Sequence, residues 1–283
     1  MSEADQPVYL NGEYLPLAEA SIPVLDRGFL FGDGVYEVIP VYGGKPLRLD
    51  DHLARLKRSL GEIRIPPPLT DAEWSSIFSR LISGTGDQYL YLQVTRGAAT
   101  KRDHAIPAGI APTVFVMCSP ITPMPADGIK AITVEDIRWS RCDIKAITLL
   151  ANVLLRQDAI DAGAAEAILI RDGKVQEGAA SNVFIVSHGA IVTPPKGRTI
   201  LPGITRDLVL ELAREAGQTV EERLFDAEEL RNASEIWMTS SIREILPVIE
   251  LDGQRVSAGN PGPVWQTLNA AYQAFKERHS QSD

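Results

Sequence analysis

Cysteine is nearly absent: 283 residues contain only Cys118 and Cys142, and no Cys-x-x-Cys pair. That is too few for a secreted disulfide framework, so both are expected as reduced, buried thiols. The four histidines (His52, His104, His188 and His279) are scattered without ligand spacing, which argues against a structural metal. No apolar run approaches the roughly 20 residues of a membrane span. The segment Met1 to Val8 is polar and acidic and lacks the charged-then-apolar pattern of a secretory leader. No long Lys/Arg run occurs and the net charge is -9, so neither a nucleic-acid nor an anionic-membrane surface is expected. An anionic substrate has to be held by a few local cations. What is present, 45% apolar and 23% charged residues, is the composition of a globular protein with a real core, read here as cytoplasmic.

The first third alternates strand and helix patterns. Val8 to Leu10 and Glu13 to Leu15 flank Asn11-Gly12, the signature of a hairpin with a type I′ turn. Val35 to Val41 reads as a strand. Asp50 or Asp51 is expected to cap a helix with Leu53, Leu56 and Leu60 on one face. Thr70 and Asp71 start a second helix, and Tyr89 to Thr95 and Thr113 to Cys118 are strands. The proline-dense stretch Ser119 to Pro125 cannot continue a helix or a central strand. It places a linker at 119–128 between domains 1–118 and 129–283. Beyond it come a strand at Lys130 to Val134, a helix from Leu149 to Ala162, strands at Ala167 to Ile170, Lys174 to Val175, Val183 to Val186 and Ala190 to Thr193, and a helix from Thr205 to Ala216. A final strand, Glu235 to Thr239, and a terminal helix, Val264 to Glu277, complete the pattern. Antiparallel strands with helices to one side predict an α+β protein.

Lys145 stands just before the helix at Leu149. Its amine, with a reference pKa of about 10.4, must lose a proton to act as a nucleophile, and a partly buried site shifts it that way. Ile200 to Asp207 places Pro202 and Gly203 before a helix, so first-turn N–H groups and the Thr205 hydroxyl are free to bind an anion. Thr239-Ser240-Ser241 adds hydroxyls at a strand end. Arg55, flanked by core leucines, is the candidate cation. Glu177 precedes Gly178-Ala179-Ala180, small residues that let backbone approach a flat ring; by itself an acid before glycine is a turn residue.

Taken in order, these segments resemble one family. Asp26-Arg27-Gly28-Phe29-Leu30-Phe31-Gly32-Asp33-Gly34-Val35-Tyr36-Glu37-Val38 is similar to the N-terminal signature of fold-type IV pyridoxal-phosphate (PLP) enzymes. So are His52-Leu53-x-Arg55-Leu56, Glu177-Gly178-x-x-Ser181-Asn182-Val183-Phe184 and Leu201-x-Gly203-Ile204-Thr205-Arg206. Within that family, Val134 to Lys145 resembles the Schiff-base segment of the D-amino acid aminotransferases. The resemblance implies a two-domain α+β fold, with a small α/β domain and a larger pseudo-barrel domain.

It further implies that Lys145 holds PLP as a Schiff base and transfers protons, and that Glu177 pairs with the pyridine nitrogen. Arg138 would keep Glu177 ionised. Arg55, Ile204, Thr205 and Ser241 would hold the phosphate, with Ser240 and Leu201 lining the cofactor site. Tyr36, Arg102 and His104 would trap the substrate carboxylate, and Val38, Ser181 and Ile242 would line the pocket. Arg102 and His104 would come from the second subunit of a homodimer, with the active site at the interface. Strand alternation puts Tyr36 and Val38 on one face. Two departures stand out. The stretch from Arg96 to Arg102 is one residue longer than the family spacing, and Arg243 replaces a small polar residue. The implied reaction is transamination between D-amino acids (D-Ala, D-Glu, D-Asp) and 2-oxo acids. The alternatives are an (R)-selective amine transaminase, a branched-chain aminotransferase, an aminodeoxychorismate lyase, and a PLP-binding protein without turnover.

Overall fold

The structure is a computed structural model that describes residues 5–84, 86–123 and 127–281. The chain gathers into two compact units. One takes in Met1–Ile121, Ile144–Thr148 and His279–Asp283; the other takes in Thr122–Asp143 and Leu149–Arg278.

In the first unit β1 (Pro7–Leu10) and β2 (Glu13–Pro16) form the expected hairpin, and Asn11 and Gly12 both take the positive φ that a type I′ turn requires. A short helix, α1 (Arg27–Phe31), leads into β3 (Gly34–Tyr42) and β4 (Lys45–Pro46). Two helices follow, α2 (Leu49–Glu62) and α3 (Asp71–Leu81), then β5 (Gln88–Thr95) and β6 (Thr113–Pro120). The six strands make one antiparallel sheet in the order β2-β1-β6-β5-β3-β4. Leu53, Leu56 and Leu60 of α2, with Trp74 and Phe78 of α3, pack against Val35, Ile39, Leu90 and Leu92 of the sheet. Thr70 caps α3 in a reciprocal box with Glu73. The cap of α2 differs from expectation. Arg48, in the left-handed conformation, holds that position, and Asp50 and Asp51 lie in the first turn, where their charges favour the helix dipole.

In the second unit come β7 (Ile129–Glu135), α4 (Leu150–Asp161), β8 (Glu166–Arg171), β9 (Lys174–Gly178), β10 (Asn182–Ser187) and β11 (Ala190–Thr193). They are followed by α5 (Ile204–Glu215), β12 (Val220–Glu222), α6 (Ala227–Arg231), β13 (Glu235–Ser240), β14 (Glu244–Leu251), β15 (Gln254–Arg255) and α7 (Pro263–Gln281). The sheet runs β12-β11-β10-β13-β14-β7-β8-β9, with β15 beside β14. Every residue of β10 and β11 is buried, so the sheet is covered on both faces at these two strands.

Four expectations are corrected here. The large sheet is mixed, because β7 runs parallel to both β8 and β14, and β11 runs parallel to β12. Glu235 begins not the last strand but the one before β14, whose Pro247 weakens the strand signal. Glu177 lies within β9, not in a turn, since β9 runs on to Gly178. Ser119 and Pro120 belong to β6, and of the remaining proline-rich stretch Met124 and Pro125 lie outside the described residues. The elements α1, β12 and α6 are too short for periodicity to show.

Candidate active site

The candidate residues divide between the two units. In the first, β3 presents two faces. Val35, Glu37, Ile39 and Val41 are buried, while Tyr36 and Val38 on the opposite face are only partly covered. The segment around Lys145 lies against the start of this strand: the Tyr36 N–H donates to the Lys145 carbonyl at 2.9 Å, and the Ile147 N–H donates to the Gly34 carbonyl at 3.1 Å. The Lys145 N–H reaches Ser59 Oγ at 3.3 Å. Glycine is required at position 34, where a Cβ would lie 2.7 Å from the Val94 carbonyl oxygen. The result is a half-buried Lys145 whose Nζ stands 4.0 Å from the centroid of the Tyr36 ring.

Behind Tyr36, Glu37 is completely buried. A charge there needs partners, and it has two. Arg55 donates Nε and Nη2 to its two oxygens, each at 2.7 Å, and His52 Nδ1 lies at 2.9 Å. Burial opposes the charge, but the Arg55 guanidinium and the hydrogen bonds outweigh it and hold Glu37 far below the ordinary carboxylate range. Burial pushes His52 down, against the pull of Glu37. Arg102 and His104 lie on the exposed loop between β5 and β6. The Arg102 guanidinium sits 4.9 Å from the Phe31 ring centroid, and the His104 ring lies 5.2 Å from it.

In the second unit the centre is Glu177. It is buried at the end of β9 and accepts from Arg138 Nη1, from Asn182 Nδ2 at 3.0 Å and from the Leu201 N–H at 3.0 Å. Burial pushes Glu177 up, to about 7, against the pull of Arg138 and the Leu201 N–H. Asp136 clamps Arg138 through Nε at 2.9 Å and Nη2 at 3.0 Å. Asn182 also donates to the Leu201 carbonyl at 2.9 Å, so one side chain ties Glu177 to the segment leading into α5. At that helix start no side chain caps the first turn; Gly203 holds the cap position, where a Cβ would lie 2.0 Å from Asn182 Oδ1. Ile204 and Thr205 occupy the turn. At the end of β13 the Thr239 hydroxyl is buried with no hydrogen-bond partner among the described residues, followed by the partly buried Ser240 and Ser241 and the exposed Ile242. Ser181 donates to the fully buried Glu166 at 2.9 Å, and Arg243 approaches the same carboxylate oxygen at 3.2 Å.

Within this unit the structure brings Arg138, Glu177 and Leu201 into direct contact, while Ser181 is turned onto Glu166. In the first unit it brings Tyr36 to Lys145 and turns Arg55 onto Glu37. Sequence reasoning missed Glu37, His52, Asp136, Glu166 and Asn182. For Glu37 a signal existed: strand alternation places it on the buried face of β3, where a lone carboxylate cannot stay unpaired.

A family model described as amino-transferase class IV matches residues 34–251, from the start of β3 to the end of β14. The chain belongs to the class IV aminotransferases. It is 44% identical over 271 residues to the D-alanine aminotransferase of Bacillus licheniformis, covering 94% of this chain and 95% of that one. It is 37% identical over 283 residues to the D-alanine aminotransferase of Staphylococcus aureus (strain MSSA476), covering 97% and 99%. Among solved structures, the branched-chain amino acid aminotransferase of Escherichia coli superposes with a TM-score of 0.89 at 28% identity, covering 95% and 94%. A Mycobacterium tuberculosis aminotransferase in its PLP-bound form superposes with a TM-score of 0.81 at 27% identity, covering 95% and 99%.

As a class IV aminotransferase the protein uses PLP and takes amino acids and oxo acids as substrates. Each unit carries groups of the kind that cofactor needs: the first an amine in Lys145, and the second a buried carboxylate in Glu177 and, suited to a phosphate, the first turn of α5, which no side chain caps. No helix among the described residues is long and apolar enough to cross a membrane.

Proposed function

We propose that this aminotransferase moves the amino group of D-amino acids such as D-Ala, D-Glu and D-Asp to 2-oxo acids, with Lys145 as its covalent cofactor anchor and proton carrier. The near-full-length identity to D-alanine aminotransferases carries the choice of substrate hand. The high TM-score to a branched-chain enzyme reflects a shared fold, which does not choose among the activities that the fold supports.

In this reading Arg55, Ile204, Thr205 and Ser241 hold the cofactor phosphate, and Ser240 and Leu201 flank the site. Bound PLP supplies an electron sink for the charge left when a Cα proton departs. Glu177, kept in place by Arg138, holds the positive charge on the ring nitrogen. Lys145 Nζ takes the substrate Cα proton and later returns a proton, acting first as base and then as acid. Its place beside the Tyr36 ring supports this role, because Tyr36, with Arg102 and His104, binds the substrate carboxylate in charge-assisted hydrogen bonds. Val38, Ser181 and Ile242 line the substrate pocket.

The enzyme acts as a cytoplasmic homodimer, Arg102 and His104 serving the neighbouring subunit. The exposed apolar side chains Ile22, Val24, Phe29 and Ile106, and Leu150, Val153 and Leu154 on α4, are of the kind an interface covers.

The test is a donor screen with both enantiomers of alanine, glutamate, aspartate and leucine, and with (R)-1-phenylethylamine, joined to borohydride fixation of PLP. D-amino acids are expected to be preferred, with the label on Lys145. Preference for L-leucine or for the carboxylate-free amine overturns the substrate reading. Label on another lysine overturns the assignment of Lys145.

A further inference from the structure

The loop that carries Arg102 and His104 has almost no internal structure to hold it. Among the described residues its own bonds centre on Asp103, whose Oδ1 accepts from the Ala105 N–H at 3.1 Å and which forms an exposed ion pair with Lys101. Two exposed side chains on such a loop bind a small carboxylate well only if something else fixes the backbone, since misplacement by about 1 Å costs on the order of 100-fold.

The base of the loop is fixed from α1. Asp26, fully buried at the N-cap of that helix, accepts from the Gly28 N–H at 2.8 Å. It also accepts from the hydroxyls of Thr95 at 3.0 Å and Thr113 at 2.6 Å, the residues where β5 ends and β6 begins. At Gly97, with φ at +101°, a Cβ would lie 1.9 Å from the Ala111 carbonyl oxygen, so the two ends of the loop touch there.

The tip is held by the next residue of α1. Arg27 is 4% exposed, and its guanidinium faces three consecutive loop carbonyls. Nη1 donates to Asp103 at 2.5 Å and to Ala105 at 3.3 Å, and Nη2 donates to His104 at 3.4 Å. Nε donates to Asp33 at 2.8 Å, and Asp33 is held in turn by Arg96 Nε and Nη2 at 2.7 and 2.9 Å. The Phe31 ring at the other end of α1 is the common platform. The Arg27 guanidinium stands 4.8 Å from its centroid, Arg102 stands 4.9 Å from it, and the His104 ring stands 5.2 Å from it. Only the planar fork of an arginine can meet a carboxylate on one edge and several carbonyls on the other.

We propose that Arg27 is a positioning residue that holds the Arg102–His104 loop in the shape that receives the substrate carboxylate. The proposal rests on the reading of Arg102 and His104 as carboxylate ligands. Arg27 touches neither substrate nor cofactor in it; it acts through the loop backbone.

The experiment compares wild type, Arg27→Met, Arg27→Lys and Arg102→Leu as holoenzymes. It measures amide hydrogen exchange by mass spectrometry, and kcat and KM for D-alanine. For Arg27→Met, exchange is expected to rise in residues 100–106 while β5 and β6 stay protected. KM should rise about 10- to 100-fold, with kcat moving less. Arg27→Lys should recover part of the KM. Unchanged loop exchange in Arg27→Met overturns the proposal, as does faster exchange with an unchanged KM. A merely structural role would expose β5 and β6 as well and lower kcat, and that result also overturns it. If Arg27→Met does not fold, the same comparison is made with Arg27→Lys. If Arg102→Leu leaves KM unchanged, the carboxylate-ligand reading has failed, and loop exchange still reports whether Arg27 is the anchor.

Discussion

Arg55 meets Glu37 edge to edge: Nε and Nη2 each stand 2.7 Å from a different carboxylate oxygen, and both side chains are buried. The plane of the guanidinium is thereby set by a strand residue on the far side of β3 from Tyr36. If Arg55 is the phosphate cation, Glu37 is what aims it.

Glu37→Gln should therefore weaken both the fold and the cofactor site. Breaking one side of a buried ion pair costs on the order of 3–5 kcal/mol, because the remaining charge loses the carboxylate that offset its desolvation. The expected outcome is a lower Tm for the cofactor-free protein and a higher Kd for PLP, read by fluorescence titration. A lower Tm with an unchanged Kd means that the pair serves the fold alone.

The same cluster makes stability depend on acid. Burial lowers the folded pKa of His52 from 6.5, so His52 stays neutral in the fold and takes up a proton more readily when unfolded. Its contribution is present at neutral pH and is lost as pH falls below about 6.5. Glu37, whose folded pKa lies below 4.5, adds a loss as pH drops past that value. The Tm difference between wild type and His52→Asn should narrow from pH 7.5 to pH 5.5. A constant difference over that range would show that His52 does not titrate on unfolding.

Arg243 pairs with a carboxylate that is wholly inaccessible, while its own side chain is 18% exposed. Among the described residues, Arg243→Ser leaves Glu166 with the Ser181 hydroxyl and the Ala167 N–H and no cation, and should destabilise the protein by on the order of 3 kcal/mol. The double variant Arg243→Ser/Glu166→Gln removes both charges and should regain most of that loss in thermal unfolding. No recovery would place the effect of Arg243 elsewhere than on Glu166.

The residues that were readable in advance are those whose role is local. Asn11-Gly12 demanded a hairpin, Thr70 with Glu73 closed a cap, and Gly163 at φ 73° ended α4. Lys145, Glu177 and the Gly203-Ile204-Thr205 helix start stood in recognisable order along the chain. Where local signals competed, reading failed: Pro247 concealed β14, and three acid or arginine residues near position 50 left the cap of α2 open to misassignment.

The sequence alone determined the family, the composition of the cofactor chemistry and most long elements, because turn conformation, capping and side-chain period act over only a few residues. The tertiary structure decided which charges are neighbours. Glu177 draws donors from positions 138, 182 and 201, Glu37 draws them from 52 and 55, and Arg27 reaches carbonyls at 103 to 105. It also assigned Ile144–Thr148 to the first unit, while the residues on either side in the chain belong to the second. Burial is the reason. A charge removed from water must find its partner in space, and the partner that desolvation demands need not lie near it in the chain.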